Sequence, residues 1–169
     1  MNIFDIQTVN RISRLLQDRK QTVAVAESCT SGLIQNAFSQ AKNATLIFQG
    51  GITAYNLGQK TKQLNINPIM AENCNSVSKE VSEKMAMEVA PKFNAELGLA
   101  ITGYAEPVPE LDIKTCYAFI ALAENGKIVL SKKIMGDTAK SMFENQCIFV
   151  GKTLVHLLNL WDSKQRTNS

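Results

Sequence analysis

A chain of 169 residues, 45% of them hydrophobic and 20% charged, has the size and balance of one globular domain with a proper core. Its net charge of +3 is too small, and its lysines and arginines too scattered, to argue for a nucleic-acid partner. The four cysteines, Cys29, Cys74, Cys116 and Cys147, form no CxxC pair, which speaks against a zinc knuckle or a dense disulfide framework and for free thiols in a reducing cytoplasm. No apolar run has the length of a membrane span or a signal peptide, so the expected location is the cytoplasm, away from any membrane.

Along the chain, Ile3, Ile6, Val9, Ile12, Leu15 and Leu16 recur at helical spacing and predict an amphipathic helix over about residues 3–19. Val23, Ala24, Val25 and Ala26 are small and apolar and predict a strand over 22–26, buried on both faces. Polarity then changes at Glu27-Ser28-Cys29-Thr30-Ser31-Gly32, and Leu33, Ile34, Ala37, Phe38 and Ala41 mark a helix over 31–41. Leu46-Ile47-Phe48 leads through Gly50-Gly51 to a second strand at Ile52–Tyr55, followed by a turn and a short helix from Asn56 to Leu64. Residues 65–75 read as loop with one further turn, and Ser76 or Ser78 caps a clear helix that stops at Pro91 to Asn94. Leu97–Thr102 is a third buried strand, and Tyr104–Ile113 is a loop. Thr115–Ala123 and Lys127–Met135 flank Asn125-Gly126 as a hairpin, and a last helix spans Thr138 to Leu160 before a polar tail. This order predicts an α/β fold, a three-layer α/β/α sandwich around a mixed sheet, with one domain at 1–161 and a frayed tail at 162–169.

A buried strand running into a Ser/Thr/Gly turn that opens a helix is where open α/β sheets place ligands. The same residues are also ordinary helix caps, and alone they decide nothing. Further segments fall at strand ends in the same way. AESCTSG, GGITAY with a lysine five residues beyond the tyrosine, SVSKEV and LGLAITG occur in that order. Together they resemble the CinA C-terminal domain family, over about residues 5–160. Active members of that family are nicotinamide-nucleotide amidohydrolases, or NMN deamidases. Full-length CinA proteins carry an additional N-terminal domain for which 169 residues leave no room.

The resemblance implies a serine, a tyrosine and a lysine as the catalytic group, which fall on Ser28, Tyr55 and Lys60, with Lys62 as a rival for the lysine. It implies no metal and no cofactor, a small pyridine nucleotide as substrate, and a homodimer or higher homo-oligomer. Thr30, Ser31, Gly32, Gly50, Gly51, Thr102 and Gly103 are the expected substrate-binding positions, with N–H groups at the start of the helix after Ser28 holding an oxyanion or a phosphate. The chemistry is coherent. A serine hydroxyl is nearly inert until a base takes its proton, and a lysine is a base only when its pKa has fallen.

Other patterns point elsewhere or nowhere. Gly151-Lys152-Thr153 lacks the first glycine of a phosphate-binding loop, Gln146 standing there. The single histidine, His156, sits among leucines and suits helix packing, which leaves no Ser–His triad. Cys29 as nucleophile lacks a convincing base. The glycine-rich loop that follows the third strand in the family reads Thr102-Gly103-Tyr104-Ala105-Glu106-Pro107-Val108-Pro109 here. Gly136-Asp137 is followed by Thr138 and, nearby, Lys140 rather than by arginines. An alternative therefore stands beside the enzyme: a divergent paralogue that binds a nucleotide or a protein partner without hydrolysing it.

Overall fold

The computed structural model describes residues 3–166. Its five-stranded sheet has the order β2-β1-β3-β4-β5, formed by β1 (Val23–Glu27), β2 (Phe48–Thr53), β3 (Leu97–Tyr104), β4 (Tyr117–Glu124) and β5 (Lys127–Met135). The first three strands are parallel, and β4 and β5 extend the sheet as an antiparallel hairpin. The helices are α1 (Ile6–Asp18), α2 (Leu33–Ser39), α3 (Ala44–Ile47), α4 (Leu57–Leu64), α5 (Pro68–Glu72), α6 (Lys79–Lys92) and α7 (Met142–Arg166). A single 3-10 turn, Pro109–Leu111, interrupts the loop between β3 and β4. The expected mixed α/β sandwich is the observed architecture.

The two faces of the sheet are built from different side chains. Val23 and Val25 of β1, Leu97, Leu99 and Ile101 of β3, and Ile120 and Leu122 of β4 pack against α1, α2 and α7. Alternate residues of the same strands are Ala24, Ala26, Ala100, Ala121 and Ala123, which meet Val81, Met85 and Val89 of α6. Period-two alternation therefore sorts large from small instead of apolar from polar. The small face lets α6 approach closely, and a Cβ at Gly98 would run into the Ala86 carbonyl.

Capping explains where several helices differ from their predicted spans. Asp5 accepts from the N–H groups of Gln7 and Thr8, so α1 starts at Ile6 rather than at residue 3. Ser141 and Glu144 bond reciprocally, Ser141 N to Glu144 Oε2 and Glu144 N to Ser141 Oγ, which starts α7 at Met142 rather than at Thr138. At its other end α7 continues to Arg166, so the frayed tail expected from Asp162 is helical as far as the chain is described. An ion pair between Arg11 and Asp162 at 2.8 Å ties it to α1. The predicted strand at Ile52–Tyr55 begins earlier, at Phe48, with both glycines inside it. The paired glycines permit the close approach that a side chain would block: the Phe93 ring packs on Gly50, while the Val25 carbonyl and the Gln35 amide crowd Gly51.

Topology places the site. From β1 the chain passes through α2 and α3 to β2 on one side, then through α4, α5 and α6 to β3 on the other. The strand order reverses around β1, and such a switch point opens a crevice beyond the carboxyl ends of the strands.

Candidate active site

A cleft of about 400 Å³ opens there, in the range of small-molecule sites. Its walls come from the ends of all three parallel strands: Ser28 and Cys29 after β1, Tyr55 and Asn56 after β2, and Gly103 and Tyr104 closing β3. Helix α4 contributes Lys60, and the segment between α5 and α6 contributes Ser76 and Val77. Ser28, Tyr55 and Lys60 thus meet in one cleft although they are distant in sequence.

Ser28 is held by its backbone. Its N–H donates to the Ile101 carbonyl at 3.1 Å, extending the β1–β3 pairing one residue past the strand. The Ala54 N–H does the same for the Glu27 carbonyl on the β2 side, at 2.9 Å. The chain then turns through left-handed conformations at Ser31 and Gly32. Gln146 of α7 fixes the turn from outside, donating to the Cys29 carbonyl at 2.8 Å.

Lys60 is buried, 2% exposed, on a helix position where an apolar side chain would be ordinary. Asn56 caps α4 by accepting from Gln59 N, and Lys60 and Leu64, one turn apart, both face inward. The amine donates to the Ser76 carbonyl and to Thr102 Oγ1, both at 3.2 Å. Thr102 Oγ1 in turn donates its proton to the Ser76 carbonyl at 2.9 Å, so toward Lys60 it acts as acceptor. These two acceptors match the two hydrogens of a neutral amine. Burial pushes the Lys60 pKa down to about 8, with the neighbouring thiols Cys29 and Cys74 opposing the shift. Lys62 is exposed to solvent and does not line the cleft. Cys29 is buried and its thiol is pushed up to about 12 by burial, so the thiolate a cysteine nucleophile needs is disfavoured. Tyr55 is 56% exposed and stands at the cleft mouth.

The residues expected to hold substrate divide. Gly103 lines the cleft. Thr102 is fully buried behind it, as the acceptor for Lys60. Gly50 and Gly51 lie within β2, where they relieve packing against Phe93, Val25 and Gln35. Thr30, Ser31 and Gly32 belong to the turn, and the expected oxyanion or phosphate role of its amides needs correction. The N–H groups of Gly32, Ile34 and Gln35 donate to the Glu27 carboxylate at 3.1, 3.2 and 2.8 Å, and Thr30 Oγ1 donates to it as well. Glu27, wholly buried at the end of β1, already supplies the negative charge that this helix N-terminus attracts. An acid just before a helix start is the sequence signal for it. Ser76 and Glu72 carried no such signal. Ser76 enters the site through its carbonyl, presented by consecutive left-handed residues, Asn75 and Ser76.

The patterns set aside in the sequence have structural employment. Lys152 donates to the Met135 carbonyl at 2.6 Å and Thr153 to the Phe149 carbonyl at 2.7 Å, both from within α7. Among the described residues, no three His, Cys, Asp or Glu side chains come together to hold a metal ion, and no helix is long and apolar enough to cross a membrane.

A buried serine and a buried, deprotonatable lysine at the switch point of an α/β sheet define a class of site suited to nucleophilic chemistry on a small molecule. The comparisons with known proteins bear on the family and the fold. The CinA C-terminal domain model matches residues 5–158, and the chain belongs to that family. A competence-damage inducible protein of Alkaliphilus metalliredigens is 32% identical over 132 residues, covering 78% of this chain and 32% of that protein. A CinA-like protein of Thermosynechococcus vestitus is 41% identical over 96 residues, 57% of this chain and 23% of that protein. The chain thus spans about a third or less of the length of these relatives. Among solved structures, a CinA superfamily protein from Klebsiella pneumoniae superimposes with a TM-score of 0.87 at 19% identity, covering 96% of this chain and 99% of that one. One from Escherichia coli gives 0.85 at 22% identity, covering 94% and 90%. At such identities these structures speak to the fold.

Proposed function

We propose that this domain is an amidohydrolase acting on nicotinamide mononucleotide or a related carboxamide, with Ser28 as nucleophile, Lys60 as base and Tyr55 at the mouth relaying a proton or orienting the amine. The observation that carries the reading is the buried Lys60 amine in the same cleft as Ser28, with its pKa lowered to about 8. A lysine whose pKa burial has lowered to about 8 can release its proton, and is the base that a serine hydroxyl lacks in a chain whose one histidine lies elsewhere, on α7.

Ser28 Oγ adds to the carboxamide carbon while its proton passes to Lys60 Nζ. The proton moves on to the departing nitrogen, the C–N bond breaks, ammonia leaves and an acyl ester remains on Ser28. Water, deprotonated by the same amine, attacks the ester. The carboxylic acid departs and Ser28 regains its proton. Thr102 and the Ser76 carbonyl hold the amine through its hydrogens, which leaves its lone pair free for this work.

The test is ammonia release from a panel of pyridine carboxamides by the wild-type protein, Ser28→Ala and Lys60→Met. Each variant is expected to lose on the order of a thousandfold or more in kcat. Activity untouched by both substitutions removes the reading. Binding of the panel with no ammonia from any member favours the alternative of a binding paralogue.

A further inference from the structure

The composition of the cleft narrows what it admits, given the amide-hydrolysing reading above, on which the word substrate rests. We infer that, of the carboxamides this reading allows, the cleft favours a cationic heteroaromatic carboxamide without a phosphate group over its phosphorylated form. Two acidic side chains stand on the walls: Glu72 at the end of α5, and Glu106 in the loop that follows β3. Both are exposed. Among the described residues lining the cleft, Lys60 is the only one with a cationic side chain. It lies at the floor with hydrogens committed to Ser76 and Thr102.

The helix amides next to Ser28 that could otherwise take a phosphate are occupied. The amides at the start of α2 belong to Glu27. Of the lysines within two residues of the lining, Lys79 is paired with Glu83 at 3.8 Å and Lys140 with Glu144 at 3.4 Å, while Lys62 is exposed and is not part of the lining. A dianionic phosphate entering here would meet two carboxylates and lose its water without gaining a clamp of the kind phosphate sites use.

A positive ring meets the reverse. Tyr55 and Tyr104 line the same walls as the carboxylates. Tyr104 is held edge-to-face against Tyr117, with ring centroids 5.6 Å apart. Aromatic faces and carboxylates both attract a delocalised cation such as an N-alkylated pyridinium, and a flat ring suits a wall of tyrosines. Its carboxamide would then lie toward Ser28. From the loop that follows β3, Tyr104, Glu106 and Val108 line the cleft, so one segment supplies both bulk and negative charge to its wall.

The experiment uses three probes that share the pyridinium carboxamide: 1-methylnicotinamide, nicotinamide riboside and nicotinamide mononucleotide, the last adding only phosphate to the second. Ammonia release by the full chain is expected to show kcat/KM for the riboside above that for the mononucleotide by about tenfold, with Glu72→Gln/Glu106→Gln collapsing the ratio toward one. Calorimetric binding to Ser28→Ala is expected to rank the probes in the same order. A mononucleotide that is turned over as well as the riboside or better, or a ratio unmoved by the double variant, overturns the inference and leaves the amidohydrolase reading standing. Preferred binding of the riboside with no ammonia from any probe overturns the amidohydrolase reading and keeps the charge selectivity. Binding of none of the three overturns the inference.

Discussion

The floor of the cleft and its mouth are made in opposite ways. At the floor, Ser28, Lys60, Thr102 and Ser76 are buried, and the Lys60–Thr102–Ser76 hydrogen bonds close on one another. At the mouth, Tyr55, Glu72 and Glu106 are exposed, carried by loops after β2 and β3 and by the end of α5. Buried polar groups tolerate few alternatives, because each lost partner leaves a desolvated atom without compensation. Exposed loops accept substitution at little cost in stability. A fold can therefore retain the floor, which fixes the chemistry, while the mouth that selects the ligand changes.

The comparison breaks first, and by the largest margin, at Glu27. Glu27→Ala removes the acceptor for three backbone amides and the Thr30 hydroxyl, and is expected to cost about 4 kcal/mol in urea unfolding. A loss below about 1 kcal/mol would mean that the turn carrying Ser28 is not held from within.

The second break is in the pH dependence of stability. Lys60 has a folded-state pKa of about 8 against an ordinary 10.5. Below about 8 both states hold the proton, and the folded protein bears the full cost of a buried ammonium. Between about 8 and 10.5 the unfolded chain still binds a proton that the folded protein has released, so stability rises with pH through that window. The rise is about 3 kcal/mol, and Lys60→Met should remove it from the unfolding curves. A wild-type curve that matches the variant across the window would show that the amine is not buried. In activity, the same titration is expected to give kcat/KM an acidic limb near pH 8 and a plateau above it.

The smallest effects belong at the mouth. Tyr55→Phe is expected to lower kcat about tenfold with unfolding within about 0.5 kcal/mol of wild type, whereas Lys62→Met should change neither. A large stability loss at Tyr55 would move that residue from the mouth to the frame.

Most of the architecture was legible before folding. Strong periodicity marked α1 and α6, alternating small residues marked β1 and β3, and Asn125-Gly126 marked the β4–β5 turn, because each is a local consequence of how a chain buries one face. Boundaries are legible only where their caps are: the sequence offers Ser76 or Ser78 as the cap of α6, and Ser78 takes the place, whereas the start expected for α7 at Thr138 passes over the reciprocal pair Ser141 and Glu144. The element boundaries within 44–53 are not legible locally, because the glycines there pack against Phe93, Val25 and Gln35, which are remote in sequence.

For the site, the residue types were in the sequence and their company was not. Ser28, Tyr55 and Lys60 could be named from motif spacing. The folded chain alone decided that Lys60 would be buried against the Ser76 carbonyl and Thr102, and that Glu27 would take the helix amides expected to serve a ligand. The reason is physical: a pKa and a hydrogen-bond partner are properties of an environment, and that environment forms only when strands and helices from distant parts of the chain close around the group.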